Sequence, residues 1–189
     1  MKMNTVNEKK KLFSTRKMVI AGLFVALSYA VSLFEFPIFP ATPYLKLDFS
    51  NVFILLTGFL FGSLLGICAC VIKEMLCLIG TSSGGAGQVA NALVTIAYII
   101  VPCTVYKYKK GIKTVIITLI IACILGTGAA LIANRFVVFP LYMGASAAEV
   151  FSDVFWYVTA FNVIKTLAVS IVTTLLYKRL SVFIKRITA

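Results

Sequence analysis

Residues Phe49–Gly80 read FSNVFILLTGFLFGSLLGICACVIKEMLCLIG, and the way this stretch crosses a membrane decides the side on which every other segment lies. Lys73 and Glu74 are its only charges. As one helix its thirty-two residues would run about 48 Å, against a hydrocarbon core of ~30 Å. Two spans of roughly 14 to 17 residues, folded back near Gly58, Gly62, Ser63 and Gly66, match the bilayer with little tilt. The stretch therefore predicts two helices joined at its glycines.

The composition outside this stretch points the same way. The chain has 189 residues, of which 61% are hydrophobic, and this leaves too little polar surface to cover a water-soluble globule. It predicts an all-α integral membrane protein. All five cysteines (Cys68, Cys70, Cys77, Cys103 and Cys123) fall in apolar runs, where Cys packs as a small hydrophobe, and no disulfide framework or C-x-x-C spacing is present. The chain has no histidine, so the commonest general base and the commonest zinc ligand are both missing. No metal centre and no catalytic residue is expected. The excess of 18 Lys and Arg over 6 Asp and Glu gathers at the ends of apolar runs, the pattern of membrane orientation and not of a nucleic-acid-binding face.

In chain order, residues 1–17 read as a retained basic cytoplasmic tail, residues 18–180 as the membrane domain and residues 181–189 as a second basic cytoplasmic tail. Span 1 covers about Met18 to Phe34, and a loop with Pro37, Pro40, Pro43 and Lys46 follows. The folded pair comes next, then a Gly-rich turn from Gly80 to Gly87 and span 4, about Gln88 to Tyr106. Span 5 covers about Thr114 to Ala133 and span 6 about Asp153 to Tyr177. Six basic residues precede span 1, four lie between Lys107 and Lys113, and four follow span 6, so fourteen of the eighteen belong on one side. Only an even number of crossings between the first two clusters allows this. Counting Phe49–Gly80 as two spans gives six transmembrane helices with both termini cytoplasmic, in a multi-pass protein of the cell membrane. Glu35, Asp48, Glu149 and Asp153 then fall at the outer face.

Lys73 and Lys165 lie within spans, where a lysine is costly by about 2.5–3.5 kcal/mol unless it faces protein, a partner or a cavity. On span 6, Asp153, Trp156, Thr159 or Ala160, Asn162 and Lys165 or Thr166 recur every three to four residues and read as one polar stripe. By helix rise, Asn162 lies ~13 Å and Lys165 ~18 Å inward from Asp153. Interhelical polar packing is the plain alternative for both. Lys73 and Glu74 are adjacent, ~100° apart around a helix, and are not expected to line one face together. Gly85-Ala86-Gly87-Gln88-Val89-Ala90 matches a dinucleotide fingerprint in letters only, since no strand precedes it, and there is no P-loop. On span 1, Gly22, Ala26 and Ala30 recur every four residues and form a small-residue face that lets another backbone approach.

Several stretches, taken in order, resemble the riboflavin-specific substrate-binding (S) subunit of energy-coupling-factor (ECF) transporters. They are Tyr44-Leu45-Lys46-Leu47-Asp48-Phe49-Ser50, Thr57-Gly58-Phe59-Leu60-Phe61-Gly62, Ile72-Lys73, Gly87-Gln88-Val89-Ala90-Asn91, Asn134-Arg135-Phe136 with Pro140-Leu141-Tyr142, and Phe161-Asn162-Val163-Ile164-Lys165. The chain departs from the family's usual pattern at Gln88, where Glu is common, at Ala160, where Pro is common, and at Arg135, where Tyr is common.

The resemblance implies six helices, a riboflavin pocket open to the outside, and coupling to a separate transmembrane subunit driven by two cytoplasmic ATPases. Riboflavin would be a transported ligand and not a cofactor. Asn134 and Asn162 each offer a donor and an acceptor to the flavin's pyrimidine edge, and Lys165 donates only. Asn91 and Thr42 are candidates for the ribityl hydroxyls, Leu45 belongs to the matched loop, and Gly84 allows close backbone approach. The Ala26-Leu27-Ser28-Tyr29-Ala30 match implies that span 1 docks on the coupling subunit. The rivals are a substrate subunit for another vitamin, a membrane enzyme using Glu74 or Asp153, and a solitary carrier or channel. No convergent carboxylate pair and no well-aligned inverted repeat supports the last two.

Overall fold

The computed structural model describes residues 14–80 and 85–188, with side chains through Tyr177. Residues 1–13 of the first basic tail and Gly84 lie outside the described residues, and the second tail is described in its backbone only, through Thr188. Helix α1, Thr15–Ser32, leads into a strap closed by a minimal antiparallel ribbon, β1 at Phe36–Pro37 with β2 at Lys46–Leu47. The ribbon departs from the all-helical expectation. Three prolines in the strap exclude a helix there, and its ends meet as a pair.

Helices α2, Asn51–Phe61, α3, Ser63–Leu78, α4, Ala86–Tyr108, and α5, Ile112–Ala133, follow. A π turn, Asn134–Val138, the short helix α6, Phe139–Met143, and a 3-10 turn, Gly144–Ser146, connect α5 to the long α7, Ala147–Thr188. Among the described residues, three apolar stretches have the length to cross a membrane: Thr15–Ser32, Ala86–Tyr108 and Ile112–Tyr177. The third is interrupted at the π turn and at Gly144, and α5 packs along α7.

The opening stretch does split in two, but at one residue. Gly62 has φ 97° and ψ 163°, a region essentially reserved for glycine. Gly58 and Gly66 serve a different purpose from the turn expected of them, because they let α2 and α3 pack backbone against backbone. A Cβ on Gly66 would stand 3.0 Å from the Gly58 Cα, and one on Gly58 would fall 2.2 Å from the Cys103 Sγ of α4.

Helix α2 has eleven residues, about 16 Å, roughly half the hydrocarbon thickness and less than the span expected there. It packs against α1, α3, α4 and α7, and all its residues except Phe53 and Leu60 are buried. Val52, Ile54, Leu55 and Phe59 of α2 meet Tyr98 and Ile99 of α4, Leu119 of α5 and Val169 of α7 in the main core. A second cluster joins Leu45 and Leu47 of the strap to Phe139, Phe151 and Phe161. The outer surface is apolar too: Leu23, Ile124, Ile132 and Leu175 are 59%, 70%, 63% and 62% exposed. Such a surface suits lipid.

Placing a Cβ at Gly62 forces a backbone conformation that costs of order 1–3 kcal/mol. Gly62→Ala is expected to lower the thermal unfolding midpoint in detergent. Gly22→Ala, where no atom lies within 4 Å, is expected to leave it unchanged or raised. An unaltered midpoint for Gly62→Ala would contradict the hinge.

Candidate functional site

A chain of buried charges runs through the middle of the bundle. The Lys165 Nζ of α7 donates to Asp48 Oδ2 at 2.9 Å and to Asn91 Oδ1 at 3.2 Å. Asn91 Nδ2 donates to Glu74 Oε1 at 2.6 Å, and Lys73 Nζ donates to the same oxygen at 2.9 Å. Asp48, Lys73, Glu74 and Lys165 are each below a tenth exposed, so two ammonium groups and two carboxylates are neutralised together.

Asp48 sits in the strap, just before α2. Its Oδ1 accepts the Ser50 N–H at 2.8 Å and the Ser50 hydroxyl, and the Ser50 carbonyl accepts the Ser28 hydroxyl of α1 at 2.9 Å. Burial pushes the Asp48 carboxyl up, but Lys165 and Lys73, with the Ser50 and Lys165 hydrogen bonds, hold it well below the usual carboxylate range.

Beside Lys165 lies a small cavity, lined by Asn51, Thr95, Tyr98, Asn162, Lys165 and Thr166 among others. Asn51 Oδ1 is buried without a hydrogen-bond partner. An unpaired buried acceptor is unusual, because buried polar groups normally find a partner.

The structure therefore joins Lys165 to Asn91 directly and to Asn162 through the cavity wall. The Asn162 Nδ2 donates to the Val158 carbonyl at 2.8 Å. Asn134, in the π turn, is buried and donates to the Ala130 carbonyl at 2.8 Å. Thr42 is fully buried with its hydroxyl unpaired, and Leu45 belongs to the aromatic cluster under the strap. Thr42, Leu45 and Asn134 are not part of the cavity wall. Gly84 lies outside the described residues. Gly22, Ala26 and Ala30 are all exposed, on the side of α1 away from buried Ala21, Val25 and Ser28.

Three expectations are corrected. The stripe on span 6 holds only in its inner half, since Asp153 and Trp156 are exposed while Asn162, Lys165 and Thr166 are buried. Steps of three residues fall ~60° short of a full turn each, so three such steps carry Asn162 to the side opposite Asp153. Lys73 and Glu74, placed on different faces, are both buried and paired, because the long lysine stem bends back to its neighbour. Asp48, read as an outer-face acid, is a buried partner of Lys165. Two lysines inside apolar runs require counterions, but charge balance alone does not distinguish Asp48 from the other acids at the ends of the spans. For the enzyme alternative, Glu74 is engaged by Lys73 and Asn91, and Asp153 stands exposed and apart from it.

The chain is 34% identical to the riboflavin transporter RibU of Staphylococcus aureus, covering 96% of this chain and all of that protein. It is 28% identical to the riboflavin transporter FmnP of Bacillus subtilis, covering 90% of this chain and 95% of that protein. A solved structure of the S component of a bacterial ECF transporter superposes with a TM-score of 0.79 at 33% identity, covering 90% of this chain and 98% of that one. Residues 16–177 match the family described as ECF transporter, substrate-specific component, and the chain belongs to that family, a transport subunit and not an enzyme.

Proposed function

We propose that this chain binds riboflavin from the extracellular side of the cell membrane and delivers it to an ATP-driven ECF importer made with a transmembrane coupling subunit and two ATPase subunits. The observation that carries the reading is Lys165, fixed beside Asn162 and the unpaired Asn51 acceptor at a buried cavity, in a chain similar to riboflavin transporters over nearly its whole length. A flavin offers donors and acceptors on its pyrimidine edge and an apolar dimethylbenzene end, which suits a few convergent polar groups among apolar walls. The cavity as it stands is far too small for a flavin, so this reading requires it to widen on binding. Asn134, Asn91, Thr42, Leu45 and Gly84 complete the site in this reading.

Removing a buried polar partner costs about 1–3 kcal/mol, equivalent to about 5- to 150-fold in affinity. Asn162→Ala and Lys165→Ala are expected to weaken riboflavin binding by the purified protein within that range. Wild-type affinity in both folded variants would refute the site. Competition with other vitamins separates riboflavin from the alternative ligand class.

The six-crossing topology with both termini cytoplasmic rests on the basic clusters and on the break at Gly62. In a background without native cysteines, Ser63→Cys and Lys110→Cys are expected to label from the cytoplasm only, and Ser146→Cys only from outside. Labelling of Ser63→Cys from outside would overturn this arrangement.

The exposed Gly22, Ala26 and Ala30 face is the docking surface for the coupling subunit in this reading. Ala26→Trp is expected to abolish riboflavin uptake by cells carrying the whole transporter and to leave binding by the isolated subunit intact. Survival of uptake would exclude that face, and loss of both would assign it to packing within the subunit.

A further inference from the structure

An ammonium group has three N–H donors, and the direction of each depends on what the other two meet. Two of the Lys165 donors go to Asp48 Oδ2 and Asn91 Oδ1, and Nζ stands over the Phe161 ring, 5.9 Å from its centroid. One donor is left beside the cavity that Lys165 shares with Asn162 and Asn51.

The two partners of Lys165 are themselves fixed. A carboxylate only accepts, so Glu74 forces Asn91 to turn its Nδ2 toward α3 and its Oδ1 toward Lys165. Asp48 is held by both the backbone and the hydroxyl of Ser50, and Ser50 is anchored to Ser28 of α1. Asp48 itself is absent from the cavity wall.

We propose that Asp48 is a positioning residue for ligand recognition, acting through Lys165: its carboxylate holds the ammonium in place so that the third N–H meets a ligand carbonyl without breaking the ion pair. This rests on the reading that Lys165 contacts the flavin. Asn91, oriented by Glu74, supplies the second arm of the same clamp. A neutral ligand then binds to a cation already neutralised by the protein, and recognition requires no change in buried charge. Asp48 thereby serves affinity from a position outside the cavity.

The test is a double-mutant cycle on the full-length protein in detergent, with riboflavin as the probe and flavin fluorescence as the readout, alongside thermal unfolding of each variant. Asp48→Asn and Lys165→Met are each expected to weaken binding about 5- to 150-fold. The double variant is expected to bind no more weakly than Lys165→Met alone, because Asp48 has nothing left to position. It is also expected to melt above Asp48→Asn, since one charge of each sign is gone. A merely structural role for Asp48 would lower the melting point and leave the affinity of the folded fraction unchanged.

If Asp48→Asn does not fold, the comparison of the double variant with Lys165→Met still reads the effect of Asp48 without its lysine. Ser50→Ala, which removes one donor to Asp48 and no charge, supplies the single-variant arm with a smaller loss that vanishes when Lys165 is Met. Wild-type affinity for Asp48→Asn, or losses that multiply in the double variant, would overturn the proposal alone. Wild-type affinity for Lys165→Met would remove both the proposal and the contact reading beneath it.

Discussion

Two lysines and two carboxylates buried inside a bundle whose outer face is apolar have to be neutralised as a set, and much of the architecture follows from that requirement. Buried ion pairs contribute little net stability compared with apolar packing, yet loss of one member leaves an unpaired charge at a cost of about 3–5 kcal/mol. The four charges therefore act as a constraint on arrangement more than as a source of stability. Lys73 and Glu74 come from α3, Asn91 from α4, Lys165 from α7 and Asp48 from the strap, so the network closes only when all four segments are in register.

The packing that makes room for this network depends on backbone proximity. Gly58 and Gly66 bring α2 and α3 together, and Cys103 of α4 fills the notch at Gly58. A short α2 at the centre, turned sharply at Gly62, leaves space at its start for the Asp48–Ser50 turn. Ser28 ties α1 to that same turn from its buried side, while Gly22, Ala26 and Ala30 remain exposed on the other. The strap that carries Asp48 is thus bonded to α1 and ion-paired to α7.

Much of the fold was legible in the sequence because lipid imposes strong and simple rules. Apolar runs of limited length, basic clusters at their ends and glycines at Gly58, Gly62 and Gly66 were enough to divide Phe49–Gly80 into two helices. Assigning a role to each glycine was not possible in that way, since a turn glycine and a packing glycine look alike until φ and the neighbouring helix are known. The length of α2 was also misjudged, because its wholly apolar residues suit a protein interior as well as they suit lipid.

The site shows the same division. Composition alone pointed to a membrane protein and showed that the chain has no histidine. Motif order identified Asn162, Lys165 and Asn91 as candidates, and the structure brought these three to one region. Only the tertiary structure decided that Asp48 pairs with Lys165 across 117 residues of chain, that Lys73 and Glu74 share one buried site, and that Asp153 and Trp156 face away from it. The physical reason is that hydropathy and charge act along the chain and can be read from local sequence. The partner of a buried charge is chosen by which helices meet in space, and no local pattern encodes that meeting.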